Sequence, residues 1–518
     1  MSNEINSITI VGGGSAGWMS AATMIRFFPN RKITIIESPD YPIVGVGEST
    51  LGHINQWLAL LGIREDDFMK ECDASYKLSI KFTDFYAKGD GGYHYPFGPP
   101  MLDGTDLGFN DWQVLKHFSP GIPVQDFARC YNPITLLAEQ NKIDKNESGH
   151  LDNFNFAKDA AYHFDAVKFG QWLKNNYCLP RGVELISSSV KNAIVGADGV
   201  ESLILEDGTE HSADMYLDCT GFKSMLLAGA LNEEFVSYRD VVPNNRAWAT
   251  RLPYTDKEKQ LEPFTNGTAL SSGWVWNIPL WSRIGTGYVY SDDHITPEDA
   301  LKEFQEHIGR DDLEFRDIKM RIGIHKNVWS KNVVGIGLAG GFIEPLESNG
   351  LFTVHEFLLK LTKSISKPFV NQLDRDIFNM SVRDIFDTFA TFVGLHYKLS
   401  SRNDSPYWRD ITERSNLREE ILRIPQMQTD FRHLAVAKMI DDKFCNGGQP
   451  YIATGMHYPI ADESTICAWT YQNDVDYKKV AQEAALRFSR RKQWWQHITD
   501  IAPTLYEHLA DKYGYEVN

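Results

Sequence analysis

Residues 8–18 read ITIVGGGSAGW, an apolar β-branched run that ends abruptly in glycines. The next stretch, WMSAATMIRFF, carries apolar residues at helical spacing, and KITIIES after it reads as a second strand. Gly12, Gly14 and Gly17 form G-x-G-x-x-G at the strand-to-helix junction. The first glycine permits the tight turn, the second lets the backbone approach a pyrophosphate, and the third lets the helix pack on the sheet. The helix N-terminus then offers free N–H groups to the phosphate. Glu37 lies 20 residues past Gly17, at the end of the second strand, where an acid holds a ribose hydroxyl. The same residues also spell G-x-S-x-G (Gly13, Ser15, Gly17), the nucleophile elbow of α/β-hydrolases. That reading fails on position, because an elbow needs several strands before it and only about ten residues precede this one.

The remaining pattern predicts an α/β chain. Residues 75–97 read as extended, aromatic-rich segments, and the stretch from Ala197 reads as a hairpin with an Asp-Gly turn followed by a buried strand. DMYLDCTGF (214–222) and VVGIGLAGGF (333–342) are further strands that run into glycines. Later glycine-rich returns of this kind suit FAD, a cofactor long enough to cross the domain, and the pattern resembles the flavin monooxygenase class. Residues 299–308 and 352–365 read as helical, as does most of 411–443 and 477–512. The expected organisation is a Rossmann-like FAD-binding body over 1–400, with an additional mixed sheet and inserted substrate-side segments. A mainly helical section over 401–518 completes the substrate region.

Composition narrows the partners. A net charge of −17 lacks the basic footprint of a nucleic-acid binder. No apolar run approaches the roughly 20 residues that span a bilayer. The start, MSNEINSITIVGGG, has no basic region or cleavage pattern, so a cytoplasmic protein is expected. Cys72, Cys130, Cys178, Cys219, Cys445 and Cys467 show no paired spacing and read as reduced thiols, and the 15 histidines form no metal pattern. The 12% aromatic content, with 13 Trp, 22 Tyr and 29 Phe, suits an aromatic-lined cavity.

Residues 273–280 read GWVWNIPL, and strand alternation puts Trp274 and Trp276 on one face. Trp274 to Pro279 is a W-x-W-x-I-P motif that resembles the signature of flavin-dependent halogenases, the tryptophan halogenase family. IVGGGSAGW at the start, GVGEST (45–50), SYKLSIKF (75–82), GFIEPLESNGL (341–351) and HYKLSSRNDSPYW (396–408) extend the resemblance over most of the chain in the right order. It implies that reduced FAD, O₂ and a halide make hypohalous acid, which travels through an internal tunnel to an electron-rich aromatic ring. The reduced FAD would come from a separate flavin reductase, since no second nucleotide-binding unit is visible. Gly12, Gly14, Ser15, Ala16, Gly17, Glu37, Glu48 and Leu338 fall on the cofactor side. Trp274 and Trp276 are implied to lie near the flavin.

Alternation in SYKLSIKF assigns Lys77 to a solvated strand face with Ser79 and Lys81. The resemblance instead makes it the essential lysine, whose charged form a dry cavity disfavours. Glu347 matches the family's catalytic glutamate, with Glu344 ranked second. By sequence alone each reads as a turn carboxylate. Ser348-Asn349-Gly350 matches the halide site, a turn of consecutive N–H groups able to hold an anion. Asn349 stands where the family commonly has Thr, and Asn tolerates a left-handed conformation there. The change leaves chloride, bromide and iodide open, with bromide and iodide favoured. Tyr95, Pro96 and Phe97 match the family's substrate-side His-Pro-Phe, Tyr95 taking the His position. The family's C-terminal tyrosine pair and acid for free tryptophan are not recognisable, and Trp469 and Tyr471 are candidate pocket rings. An indole, phenol or larger aromatic is therefore the expected substrate. A flavin-dependent aromatic hydroxylase and a noncatalytic flavin-binding protein are the alternatives, and the oligomeric state, a homo-oligomer included, stays open.

Overall fold

The computed structural model describes residues 4–40, 47–102, 109–146, 148–414, 448–460, 462–472 and 476–516. The chain divides into two compact units, each assembled from three stretches. One comprises Met1–Ser75, Ala161–Ala249 and Asp317–Asp387; the other comprises Tyr76–Ala160, Thr250–Arg316 and Thr388–Asn518.

The first unit is built on a six-stranded sheet. Its strand order is Trp329–Ser330, Val333–Gly335, Met215–Asp218, Ser7–Val11, Lys32–Glu37, Glu184–Ser187. All neighbours are parallel except the Trp329–Ser330 edge. The opening strand is central, Ile8 standing beside Met215 on one side and Ile33 on the other. Ile8, Ile10, Ile33 and Ile35 are buried, as expected of a parallel sheet covered on both faces. Burying each such side chain contributes about 1.5–3 kcal/mol. Each doubling of the intervening loop adds only about 0.6 kcal/mol, so long excursions between paired strands are tolerated. The Met215–Asp218 strand therefore joins the opening strand, and Val333–Gly335 joins Met215–Asp218, despite their distance in sequence. A three-stranded sheet (Val190–Gly196, Gly199–Leu205, Glu210–His211) includes the expected Asp207-Gly208 turn, and its Val200, Leu203 and Leu205 pack with Val11, Ile36 and Val333. The Ser15–Phe27 and Asn349–Ile365 helices pack against each other.

The second unit carries five consecutive strands in the order Ile284–Tyr290, Gly273–Pro279, Phe264–Ala269, Ser79–Thr83, Gly92–Pro96. Trp274 and Trp276 do share a face, their ring centroids 6.3 Å apart. Trp276 stands between Gly267 and Gly287 on the flanking strands, and Trp274 between Ala269 and Val289. The small partners Gly267, Gly287 and Ala269 leave room for an indole to lie over them. The Tyr477–Ile501 and Leu505–Tyr513 helices occupy the expected 477–512 region. Most of the expected 411–443 helix, and Cys445, lie outside the described residues. Among the described residues, no helix is long and apolar enough to cross a membrane.

Candidate active site

The glycine turn of the first unit forms a cradle that side chains would fill. Gly12 has φ +117°, and a Cβ there would lie 2.4 Å from the Cys219 carbonyl oxygen. A Cβ on Gly17 would lie 1.8 Å from the Gly12 carbonyl oxygen. The helix begins at Ser15 with Gly14 as its N-cap and no side-chain cap, so its first N–H groups remain available to a phosphate. The Ser15 hydroxyl donates to the Ala166 carbonyl at 2.7 Å, a structural bond rather than a nucleophile's arrangement. Glu37 lies over Gly13, accepts from the Trp18 indole N–H at 3.3 Å and forms an ion pair with Lys174. A carboxylate has about four acceptor positions, so these two partners leave room for a ribose hydroxyl. The 333–342 strand and turn return to this loop, where a Cβ on Gly337 (φ +65°) would come within 3.1 Å of the Ala16 methyl. Leu338 follows in the short 3₁₀ helix Gly337–Ala339. These residues fit the pyrophosphate and ribose of FAD. Gly17→Ala should weaken FAD binding roughly 10–100-fold, since its Cβ meets fixed backbone. Fluorescence titration with FAD measures this, and unchanged affinity would place the pyrophosphate elsewhere.

Asp218 ends the Met215–Asp218 strand, and its carboxylate is engaged in holding the turn that follows. It accepts from Thr220 N at 3.1 Å, Thr220 Oγ1 at 2.6 Å, Leu226 N at 2.7 Å and Leu227 N at 2.9 Å. Glu48 is buried, and its carbonyl accepts from Phe164 N at 2.8 Å.

The 344–350 turn corrects one expectation. The left-handed residue is Ser348, with φ +55° and ψ +34°, whereas Asn349 opens the Asn349–Ile365 helix. Asn349 thus has no need of left-handed tolerance. Its Nδ2 donates to the Glu344 carbonyl at 3.3 Å and closes the turn through a side chain. Ser348 N donates to the Pro345 carbonyl at 2.9 Å, and the 3₁₀ turn Pro345–Glu347 precedes it. A right-handed residue followed by a left-handed one turns successive N–H groups toward a common point. The 17-residue helix has no side-chain cap there, which adds its positive end. A Cβ on Gly350 would meet nothing within 4 Å, so the turn opens onto space. Glu344 and Glu347 are both buried, not surface-turn carboxylates.

In the second unit Lys77 is 0% exposed, against the solvated face that alternation assigned to it. The short strand Ser75–Lys77 is buried at every position, so alternation there does not separate core from solvent. Its Nζ stands 5.0 Å from the Phe97 ring centroid, within reach of a cation–π contact. Tyr95 and Phe97 are buried 5.9 Å apart, and Pro96 pairs with Ser79 in the sheet. Trp274 and Trp276 are buried, and the Trp274 indole N–H makes no hydrogen bond among the described residues.

Sequence reasoning missed Tyr451, whose ring stacks on Tyr95 at 6.2 Å and approaches Phe127 at 5.2 Å. Burial pushes its hydroxyl above the usual tyrosine range. The available signal was Gly448 and Gly455, seven residues apart and hence on one helix face. A Cβ on Gly448 would lie 2.7 Å from the Tyr95 ring, and one on Gly455 would lie 2.2 Å from the Tyr93 ring. Tyr471, a candidate pocket ring, is 90% exposed; the Trp469 side chain lies outside the described residues.

The chain matches known proteins over most of its length. The tryptophan halogenase family model matches residues 7–459. The 7-chloro-L-tryptophan 6-halogenase KtzR of Kutzneria sp. (strain 744) is 34% identical over 432 residues, 79% of this chain and 82% of that protein. Tryptophan 7-halogenase RebH of Lentzea aerocolonigenes is 34% identical over 423 residues, 79% of each. The solved structure of apo VirX1 has a TM-score of 0.90 at 36% identity, covering 99% of this chain and 100% of that one. Tryptophan 6-halogenase SttH from Streptomyces toxytricini has a TM-score of 0.85 at 30% identity, covering 98% and 99%. With the family model spanning most of the chain and relatives this similar over their own length, the chain belongs to the tryptophan halogenase family of flavin-dependent enzymes.

Proposed function

We propose that the protein halogenates an electron-rich aromatic ring, an indole, phenol or larger aromatic in preference to free tryptophan, and that bromide and iodide serve it better than chloride. The observation that carries this reading is Lys77, a wholly buried lysine above the Phe97 ring in an aromatic-rich unit. Gly12, Gly14, Ser15, Ala16 and Gly17 hold the FAD pyrophosphate, Glu37 its ribose, and Glu48 and Leu338 complete the cofactor side. Reduced FAD, delivered by a separate flavin reductase, supplies with O₂ the oxidising equivalents that convert halide to hypohalous acid.

The chain's own residues do the rest. Ser348, Asn349 and Gly350 form the halide turn: the Ser348 N–H is held by the Pro345 carbonyl, and the Asn349 and Gly350 N–H groups hold the halide with the positive helix end. Lys77 presents its Nζ to the hypohalous oxygen and fixes the halogen for attack by a ring carbon. Glu347 accepts the proton that the ring then loses, work worth about 10²–10⁴-fold in rate. Tyr95, Pro96 and Phe97 form part of the wall against which the substrate ring lies.

Halide choice follows from the turn. An anion held by N–H groups is selected by available space and by its readiness to shed water. The open space beyond Gly350 and the Asn349 side chain drawn back to the Glu344 carbonyl leave no tight collar. Larger, more weakly hydrated halides are easier to bind and to oxidise there. With reductase, FAD and equimolar chloride, bromide and iodide, product mass should show brominated and iodinated products exceeding chlorinated ones. Indoles and phenols should outperform free tryptophan in the same assay. A dominant chlorinated product overturns the halide assignment, and free tryptophan as best substrate overturns the substrate assignment.

A further inference from the structure

We infer that Ser49 is a positioning residue for the halide turn, its hydroxyl holding Ser348 in the left-handed conformation that aims the turn's N–H groups. The inference rests on the reading of Ser348-Asn349-Gly350 as the halide site. Ser49 and Ser348 are both buried, and their Oγ atoms share a hydrogen bond 3.0 Å long. Ser348 is a non-glycine residue at φ +55°, a conformation that persists only where its surroundings impose it. Its own N–H bond to the Pro345 carbonyl is local to the turn, whereas Ser49 reaches it from 299 positions away.

Ser49 is itself a fixed point. It forms an antiparallel bridge with His163. On one side Phe164 N donates to the Glu48 carbonyl at 2.8 Å. On the other, Thr50 N donates to the Tyr162 carbonyl at 3.0 Å, Thr50 Oγ1 donates to the same carbonyl at 2.8 Å, and Tyr162 N donates to Thr50 Oγ1 at 2.8 Å. Residues 48–50 are thus stitched to 162–164 over consecutive positions, and the Ser49 hydroxyl projects from that rail onto the turn. Without it, Ser348 loses a tertiary restraint on its left-handed conformation, and the N–H groups after it lose part of their common aim.

The experiment is a halide titration of the full-length enzyme with reductase and an indole substrate. Ser49→Ala should raise the bromide KM about five-fold, the effect of one lost hydrogen bond, while kcat at saturating bromide stays within about two-fold. Ser49→Thr keeps a hydroxyl and should retain the parent KM. Adding Ser348→Gly to Ser49→Ala should bring the KM back toward the parent value, because glycine adopts positive φ unaided. A merely structural role would not produce that recovery. A parent KM in Ser49→Ala overturns the inference, as does a raised KM that Ser348→Gly fails to restore. Should Ser49→Ala not fold, Ser49→Cys offers a weaker donor of similar size and must still raise the KM. A parent enzyme that shows no saturable bromide dependence defeats the halide-site reading itself. A saturable parent with insensitive Ser49 variants defeats only the role of Ser49.

Discussion

Lys77→Ala is expected to lower formation of halogenated product about 10³-fold or more, while O₂-dependent oxidation of reduced FAD continues near the parent rate. The split follows from the separate roles proposed for these groups. The glycine cradle, Glu37 and the 344–350 turn belong to the first unit, and Lys77 to the second. On the proposed mechanism, removing the amine leaves the glycine cradle and Glu37 in place and takes away the group that would present halogen to the ring. Truncation also empties space around a fully buried side chain, which costs roughly 2–5 kcal/mol in a well-packed site. Lys77→Met separates the two effects, since it fills most of the volume without the amine. Both variants should lose product, and Lys77→Met should melt near the parent temperature. Full halogenation by a folded Lys77→Met enzyme would remove lysine from the mechanism.

Lys77 also shows where sequence pattern stops being informative. Alternation distinguishes two faces of a strand only when one of them meets water, and around Ser75–Lys77 neither does. The glycine turn was legible because everything it needs is local: a strand, three glycines, a helix and an acid 20 residues on. The Met215–Asp218 and Val333–Gly335 strands were legible from apolar runs ending in glycines, although the parallel register of the first beside Ser7–Val11, and of the second beside the first, is set by packing over long separations. The interleaving of six stretches into two units leaves no mark on local composition. Intrinsic preference says only that Asn349 tolerates a left-handed conformation. The structure puts that conformation on Ser348, whose hydroxyl shares a hydrogen bond with Ser49, a long-range contact that intrinsic preference does not reveal. Tyr451 was passed over because its role depends on two glycines that let a helix approach Tyr93 and Tyr95, a pairing no single stretch reveals.

Glu347→Gln is expected to slow halogenation about 10²–10³-fold while leaving the bromide KM within a few-fold of the parent. The substitution preserves the volume of a side chain that is 1% exposed, so the turn into Ser348 should survive. What it removes is a proton acceptor, because a neutral amide is a far weaker base than a carboxylate. The halide would still be held by backbone N–H groups, which the change leaves in place. Glu344→Gln is the matched control. Glu344 is equally buried in the same turn, and its contribution to Asn349 comes from its backbone carbonyl, which the substitution retains. Its product rate should stay within about ten-fold of the parent if Glu347 is the base. Substrate deuterated at the reacting carbon distinguishes base from scaffold. In the parent, halogen transfer is expected to limit the rate and deuterium to have little effect. In Glu347→Gln, loss of the ring proton becomes slow, and a primary isotope effect of about two or more should emerge. A Glu347→Gln enzyme that is slowed without any isotope effect would move this residue from proton acceptor to orientation of the halogenating species. One that is not slowed would remove it from the chemistry.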